Sequence, residues 1–308
     1  MKPLPRICDY EGSQYRAEFW ENKNRQYEDL AERIAIRKLL PPSGKRIVEV
    51  GAGFGRLVDL YQDYEQIILL DYARTQLEEA QRFLAHDDRF IFVVADLYRL
   101  PFIDNSFDAL VMVRVMHHIT EVRPALQEIR RIVQAAGTVV IEHASKRHLK
   151  SILRWLLRRQ SWSPFSHTPH EFVELNIDFH PAWMRQQFAQ AGLNITATRT
   201  VSHYRLPILK RLLPATVLAT LDGLLQPTGE LFQYSPSIFL QARPKQGGQP
   251  APIGPTATVT DIFRCPNCLC QNLEPQASSL NCPQCNRQWG YQNGIYDFKT
   301  PSQIKQPG

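Results

Sequence analysis

Long apolar runs are missing from this chain. No stretch of its 308 residues approaches the ~20 consecutive apolar side chains that a bilayer-crossing helix needs. The N-terminus, MKPLPRICDYEG, has no apolar core of the secretory-signal kind. Cysteine is nearly absent until the end: five of the six fall between Cys265 and Cys285, and Cys8 stands alone. That distribution argues against a secreted disulfide scaffold, and the expectation is a cytoplasmic chain whose clustered thiols bind metal. Internal repeats are missing too. What is present is ordinary for a globular protein: 44% hydrophobic and 21% charged residues, with a net charge of +6. These values exclude a fully disordered or collagen-like chain, and the charge permits an acidic partner without requiring one.

Bulky apolar residues almost vanish once inside the chain, over residues 244–258, PKQGGQPAPIGPTAT. Such a stretch cannot bury a core and reads as a linker. It divides a body, residues 1–243, from a tail, residues 259–308, too small to hold together without a staple. In the body, residues 46–50, 66–70, 90–95, 109–113 and 137–141 are short, β-branched, nearly continuous apolar runs, as in strands buried on both faces of a parallel sheet. Helical patterns over 75–84 and 122–133 separate them. Residues 180–192 read as a further helix, with a sixth strand at 195–201 and a seventh at 237–242. The β-α-β-α order predicts an α/β fold, a doubly wound and mostly parallel seven-stranded sheet, with its ligand at the carboxyl ends of the strands.

Val48-Glu49-Val50-Gly51-Ala52-Gly53-Phe54-Gly55-Arg56 follows the first strand and is expected to lead into a helix. Its glycines permit positive φ and let a ligand approach the backbone. Asp71 ends the second strand, where a carboxylate can hold the two hydroxyls of a ribose. Asp96-Leu97 ends the third, placed to contact an adenine. The third glycine comes one residue earlier than in a dinucleotide fingerprint, and Glu49 precedes the loop. A carboxylate there repels a pyrophosphate but suits a ligand with positive charge. S-adenosylmethionine, with its sulfonium and ammonium, fits better than NAD.

The segments IVEVGAGFGRL, IILLDYARTQLEEA, VVADLYRLPFIDNSFDALVMVRVMHHI and GTVVIEHAS resemble class I S-adenosylmethionine-dependent methyltransferases, of the branch that includes the quinone-biosynthesis C-methyltransferases. The resemblance spans about residues 45–145 and implies a Rossmann-like methyltransferase fold. It implies that Gly51, Gly53 and Gly55 line the methionine and ribose, with Glu49 near the methionine end. Asp71 would then bind the ribose, Tyr72 would lie beside the adenine, Asp96 and Leu97 would hold it, and Val113 and Arg114 would close the methionine side. Ala135-Ala136-Gly137 departs from the usual Pro-Gly-Gly turn and loosens a strand boundary.

Residues 1–40, rich in aromatics, read either as a lid over the cofactor or as cover for a sheet edge. Residues 146–175 and 206–230 are expected as cap insertions with an apolar lining. Within the first, 146–159 is a basic amphipathic helix without an acid, suited to an anionic membrane surface, or to packing its leucines on the domain. His117 and His118 follow the fourth strand as candidate general bases, of which at most one faces an acceptor, or as capping and packing residues. Tyr15, Glu142 and His143 are weaker candidates.

Cys265-Pro-Asn-Cys268 and Cys282-Pro-Gln-Cys285 have the spacing of a four-thiolate structural zinc site, with Cys270 a spare thiol. The tail resembles the zinc-ribbon half of the small activator proteins that accompany some methyltransferases. That likeness implies docking, either on a protein partner or on the body itself. The resulting expectation is a methyltransferase acting on a small or lipid-like acceptor. The alternatives are an RNA methyltransferase that recognises RNA through the ribbon, and a noncatalytic cofactor-binding scaffold. No Asn-Pro-Pro-Tyr motif follows the fourth strand, which argues against methylation of base amino groups.

Overall fold

The computed structural model describes residues 5–21, 25–245 and 258–303. Most of the expected linker lies outside the described residues. The apolar runs become β1 (Ser43–Val50), β2 (Asp63–Asp71), β3 (Phe90–Val94), β4 (Phe107–Met112) and β5 (Val133–Ala144). Successive side chains on a strand point to opposite faces, and both faces here are covered. Val48, Val50, Ile68 and Leu70 enter one core, while Ile47, Ile67, Leu69 and Val111 enter the other.

Helices supply the two covers. In chain order they are α1 (Tyr15–Phe19), α2 (Gln26–Leu39), α3 (Arg74–Leu84), α4 (Val122–Ile132), α5 (Leu149–Leu156), α6 (Pro181–Gln190), α7 (Pro207–Leu212) and α8 (Ala215–Leu225). On α4, Val122, Ala125, Leu126, Ile129 and Ile132 recur at helical spacing and are all buried, and burying each large aliphatic contributes roughly 1.5–3 kcal/mol. Helices α4 and α6 pack on the first face; α2, α3 and α8 pack on the second. Pro207 and Pro181 open their helices, where the missing N–H is harmless.

Within the body the strands run β3-β2-β1-β4-β5 in parallel. Then come β9 (Ser237–Pro244), antiparallel to both neighbours, and β8 (Leu193–Val201) at the edge. A small hairpin, β6 (His170–Val173) and β7 (Asn176–Asp178), stands apart from this sheet. Strand β5 begins four residues before the run expected at 137–141, and Ala135-Ala136-Gly137 forms an irregularity in its pairing with β4.

One element differs from expectation. The glycine loop leads into a short 3₁₀ turn, Val58–Leu60, not an α-helix; only residues 51–62 separate β1 from β2, too few for the loop and several helical turns. The tail packs on the body, one of the two docking modes expected for it, and does so by extending the sheet. It forms β10 (Glu274–Gln276), β11 (Ser279–Asn281), β12 (Arg287–Gln292) and β13 (Ile295–Gln303). Strand β13 lies parallel to β3, with Ile295 opposite Phe92 and Asp297 opposite Val94. Eleven strands among the described residues therefore form one sheet. Side chains seal the join: Phe263 stacks on Phe102, 5.8 Å between centroids, and also touches Tyr296 and Phe298. Backbone bonds run from Ile103 N to Ile262 O (2.9 Å) and from Arg264 N to Pro101 O (2.9 Å). An exposed β3 would present unpaired backbone groups at a sheet edge; β13 occupies them.

Candidate active site

Above the carboxyl ends of β1–β4 lies a cavity with about 1040 Å³ of free space, its mouth included, comparable with small-molecule and cofactor sites. Gly51 has φ +73°, and a Cβ there would lie 2.1 Å from Val115 Cγ2, so the turn admits no side chain. Gly53 has φ +54° and nothing nearer than Tyr15 at 3.9 Å, which leaves its backbone open to the cavity. The loop is tied to β2: the Gly51 and Ala52 N–H groups donate to Leu70 O, and the Gly53 N–H donates to Asp71 Oδ2 at 2.8 Å. Gly55, at φ +78°, packs against α3.

Three carboxyl groups face this space. Asp71 also accepts the Ala73 N–H (2.9 Å), and burial raises its pKa against the pull of those backbone donors. Asp96 caps a short turn by accepting the Tyr98 N–H at 2.9 Å, and burial raises its pKa too. Leu97, Tyr72 and Val113 also line the cavity. Glu49 is only 4% exposed, and its Oε2 has no hydrogen-bond partner among the described residues. Burial pushes its pKa up to about 8, although Arg56 pulls the other way. A buried acceptor without a donor costs free energy, and a ligand cation would relieve it.

Beneath the glycine loop, two arginines share one acid. Arg114 donates to Glu32 Oε1 (2.5 Å) and Arg56 to Glu32 Oε2 (2.8 Å); Arg56 also pairs with Asp29. Burial would raise the Glu32 pKa, but Arg114 and Arg56 together hold it below the ordinary range. Trp20 lies against both guanidinium groups, 4.1 Å from Arg56 and 4.9 Å from Arg114. Arg114 has φ +61°, a left-handed conformation costing roughly 1–3 kcal/mol in a non-glycine residue. Glu32 and the Glu142 carboxylate, which accepts the Arg114 N–H at 3.0 Å, hold it there.

The N-terminal segment covers the cavity. Arg6, Cys8, Tyr10, Tyr15 and Trp20 line it. Glu11 accepts the Arg74 and Thr75 N–H groups at the start of α3, and Arg6 makes a two-pronged pair with Glu171 on β6. The tail also reaches this edge: the Lys299 Nζ lies 3.9 Å from the centroid of the Tyr72 ring and bonds Asp9 at 3.0 Å.

A second cavity lies on the other side of Arg114. It is lined by Arg114, His117, Glu142, His148, Asp178 and Arg205, among others. The two neighbouring histidines divide between the cavities. His118 lines the first and is held at both nitrogens, with Nδ1 to Leu175 O (2.5 Å) and Nε2 to the Tyr10 hydroxyl (3.2 Å). His117 lines the second, and burial, with His118 and Arg114 adding to it, lowers its pKa well below the usual value, so it is neutral at physiological pH. Asp178 is pushed up to about 6 by burial and then by Glu142. Both Glu142 oxygens are taken, by the Arg114 N–H and by the Ser237 hydroxyl. His143 is buried beside Phe179 and lines neither cavity.

The expected cap is built differently. Hairpin β6–β7 carries Phe172, Asn176 and Asp178 to the second cavity. The 206–230 segment packs on α2, where Tyr27 donates to Asp222 at 2.5 Å, and only Arg205, just before it, reaches the cavity. No residue of that segment lines the second cavity: Leu218 and Asp222 are buried, and Leu206, Leu212, Leu221 and Leu224 face outward. Trp20 belongs to the aromatic N-terminal stretch expected as a lid; the roles of Glu32, Arg56, Asp178 and Lys299 were missed by sequence reasoning. Glu28 and Glu32 were visible as acids on the apolar face of a helix; nothing local marked Asp178 or Lys299.

In the tail, the sulfurs of Cys265, Cys268, Cys282 and Cys285 lie within 4.8 Å of one another. Four soft donors gathered this closely can hold a metal ion. Cys270 stands outside the group.

Residues 48–141 match the protein family described as a methyltransferase domain. The demethylmenaquinone methyltransferase of Clavibacter sepedonicus is 36% identical over 106 residues, 34% of this chain and 43% of that protein. An uncharacterised protein of Methanocaldococcus jannaschii is 25% identical over 175 residues, 56% of this chain and 64% of that one. The chain thus spans less than two thirds of the length of these relatives. Among solved structures, one chain of the complex holding the Haloferax volcanii Trm112 methyltransferase activator aligns with TM-score 0.52 at 17% identity. It covers 76% of this chain and 98% of that one, a likeness of fold.

Proposed function

We propose that this chain, whose residues 48–141 match a methyltransferase domain, is an S-adenosylmethionine-dependent methyltransferase acting on a small acceptor of quinone-like or lipid-like chemistry. The observation that carries the reading is the arrangement of two cavities on either side of one residue, Arg114. One would take the donor and the other the acceptor. The relatives named for demethylmenaquinone methylation support the acceptor class.

S-adenosylmethionine, when bound, supplies a methyl group activated by its sulfonium. The residues present suit it: Glu49, whose Oε2 lacks a hydrogen-bond partner among the described residues, would take the ammonium, Asp71 the ribose hydroxyls, and Asp96, Leu97 and Tyr72 the adenine. Gly51, Gly53 and Gly55 would let it lie against the backbone. Val113 and Arg114 would close the methionine end, with Arg114 fixed by Glu32 and Glu142. The N-terminal segment, as a lid, would exclude water. On the acceptor side, a neutral imidazole nitrogen of His117 would orient the acceptor or take its proton, with the Asp178 carboxylate alongside. His118, bonded at both nitrogens, would position Tyr10 and the hairpin. Orientation does most of the work in such an in-line transfer.

The domain boundaries follow the same reading: a catalytic body over 1–243, and a ribbon over 259–308 in which Cys265, Cys268, Cys282 and Cys285 hold one structural zinc. A second reading, methylation of RNA, draws on that ribbon. Radioactive S-adenosylmethionine added to a cell extract with the enzyme separates the two. Label is expected in the organic-soluble fraction, and label confined to RNA would overturn the acceptor assignment.

A further inference from the structure

Helix α5 is built inside out. Its apolar side chains Leu149, Leu153 and Leu156 are 61%, 50% and 62% exposed, whereas Ser151 is 2% exposed. At about 100° per residue, Ser151 sits nearly opposite that leucine stripe. The inward face is held by polar bonds: His148 Nδ1 accepts the Ser151 N–H (3.2 Å) and Gln160 Nε2 donates to the Ser151 hydroxyl (3.0 Å). The helix therefore cannot roll its leucines into the core without breaking them.

Further exposed apolar groups gather beside it. The Leu149 N–H donates to Tyr234 O (3.0 Å), and Tyr234 follows Leu231 and Phe232, 81% and 60% exposed. His148 shares a cavity wall with Arg205, which leads directly into α7 and its outward Leu206, Ile208 and Leu212. Exposed apolar surface on this scale marks an interaction site. Its charge indicates the partner. Residues 146–170 contain no acid, and neither do 202–221. Lys150, Arg154, Arg158, Arg159 and Arg211 are exposed there.

We infer that this end of the fold, formed by α5, the start of α7 and residues 231–234, docks on an anionic lipid bilayer surface, with the leucines entering the interface and the cations meeting the headgroups. Apolar side chains flanked by Lys and Arg, on a helix lying in the interface plane, are what such binding requires. The second cavity opens beside this face, sharing His148, Phe172 and Asp178 with a cleft that reaches Arg154 and Arg159. The inference stands on this surface alone and does not depend on the identity of the acceptor.

Flotation of the full chain with vesicles tests it. The protein should float with phosphatidylglycerol-containing vesicles and stay behind with pure phosphatidylcholine. Leu153→Asp combined with Leu156→Asp should reduce flotation more than tenfold, and so should Ile208→Asp with Leu212→Asp. Lys150→Ala with Arg154→Ala should reduce it less at high salt than at low salt, because screening already weakens the cations. Each variant is first shown to have the far-UV circular dichroism and thermal unfolding midpoint of the unaltered chain, which separates lost docking from lost folding. Failure to float with the anionic vesicles at low salt would overturn the inference. So would undiminished flotation of both aspartate pairs, or a vesicle-free dimer that they convert to monomer.

Discussion

A carboxyl group taken out of water favours its neutral form unless nearby cations and donors outweigh the burial, and at Glu49, whose Oε2 has no hydrogen-bond partner among the described residues, they do not. With its pKa at about 8 against an ordinary value of 4.5, the folded chain holds a proton that the unfolded chain has already released. Stability should therefore fall as pH rises from about 4.5 to about 8, and this contribution should be flat beyond. Glu49→Gln removes the group. Thermal unfolding across this range should show a shallower loss in the variant than in the unaltered chain, and equal losses in both would remove Glu49 as the cause. Glu49, Asp71 and Asp96 were legible because each ends a strand in an ordered motif. Asp178 was not, since its place depends on how the 170–178 hairpin folds over the sheet, and no spacing records that. The adjacent histidines were ambiguous for a different reason: the chain direction around His117 and His118 decides which cavity each ring enters, and the left-handed backbone at Arg114 sets it.

At the scale of elements, the strands and the long helices followed from pattern, because buried parallel strands and one-sided helices leave unmistakable periods. Strand β13 could not be placed that way. Ile295, Tyr296 and Phe298 lie on it, but a parallel partner some 200 residues earlier leaves no local trace in the sequence. The amphipathic pattern of α5 was equally plain, yet pattern cannot say which side faces inward; Ser151 and its partners decide that. The pairing of β13 with β3 has a consequence for the cysteine cluster. Cys282→Ser should release the metal from about one equivalent per chain, as a single four-thiolate site requires. It should also weaken S-adenosylmethionine binding, because β13 carries Lys299 to Tyr72 and Asp9. Metal analysis and calorimetry on the same sample check both effects. Full metal retention would refute the ligand set, and unchanged cofactor binding with the metal gone would refute the coupling.

Across the whole molecule, one sheet carries three features: a cysteine-clustered edge, two cavities joined at Arg114, and an apolar, cationic end beside the second cavity. No helix among the described residues is long and apolar enough to cross a membrane. What enters the cavity over the glycine loop decides the chemistry of the whole molecule. Calorimetry of the purified full chain with S-adenosylmethionine and, separately, with NAD addresses this directly. Binding of S-adenosylmethionine is predicted, weakened by roughly 1.5–3 kcal/mol in Asp71→Ala, the scale of a hydrogen bond to a charged group. Preference for NAD, or affinity for S-adenosylmethionine unchanged in that variant, would contradict it.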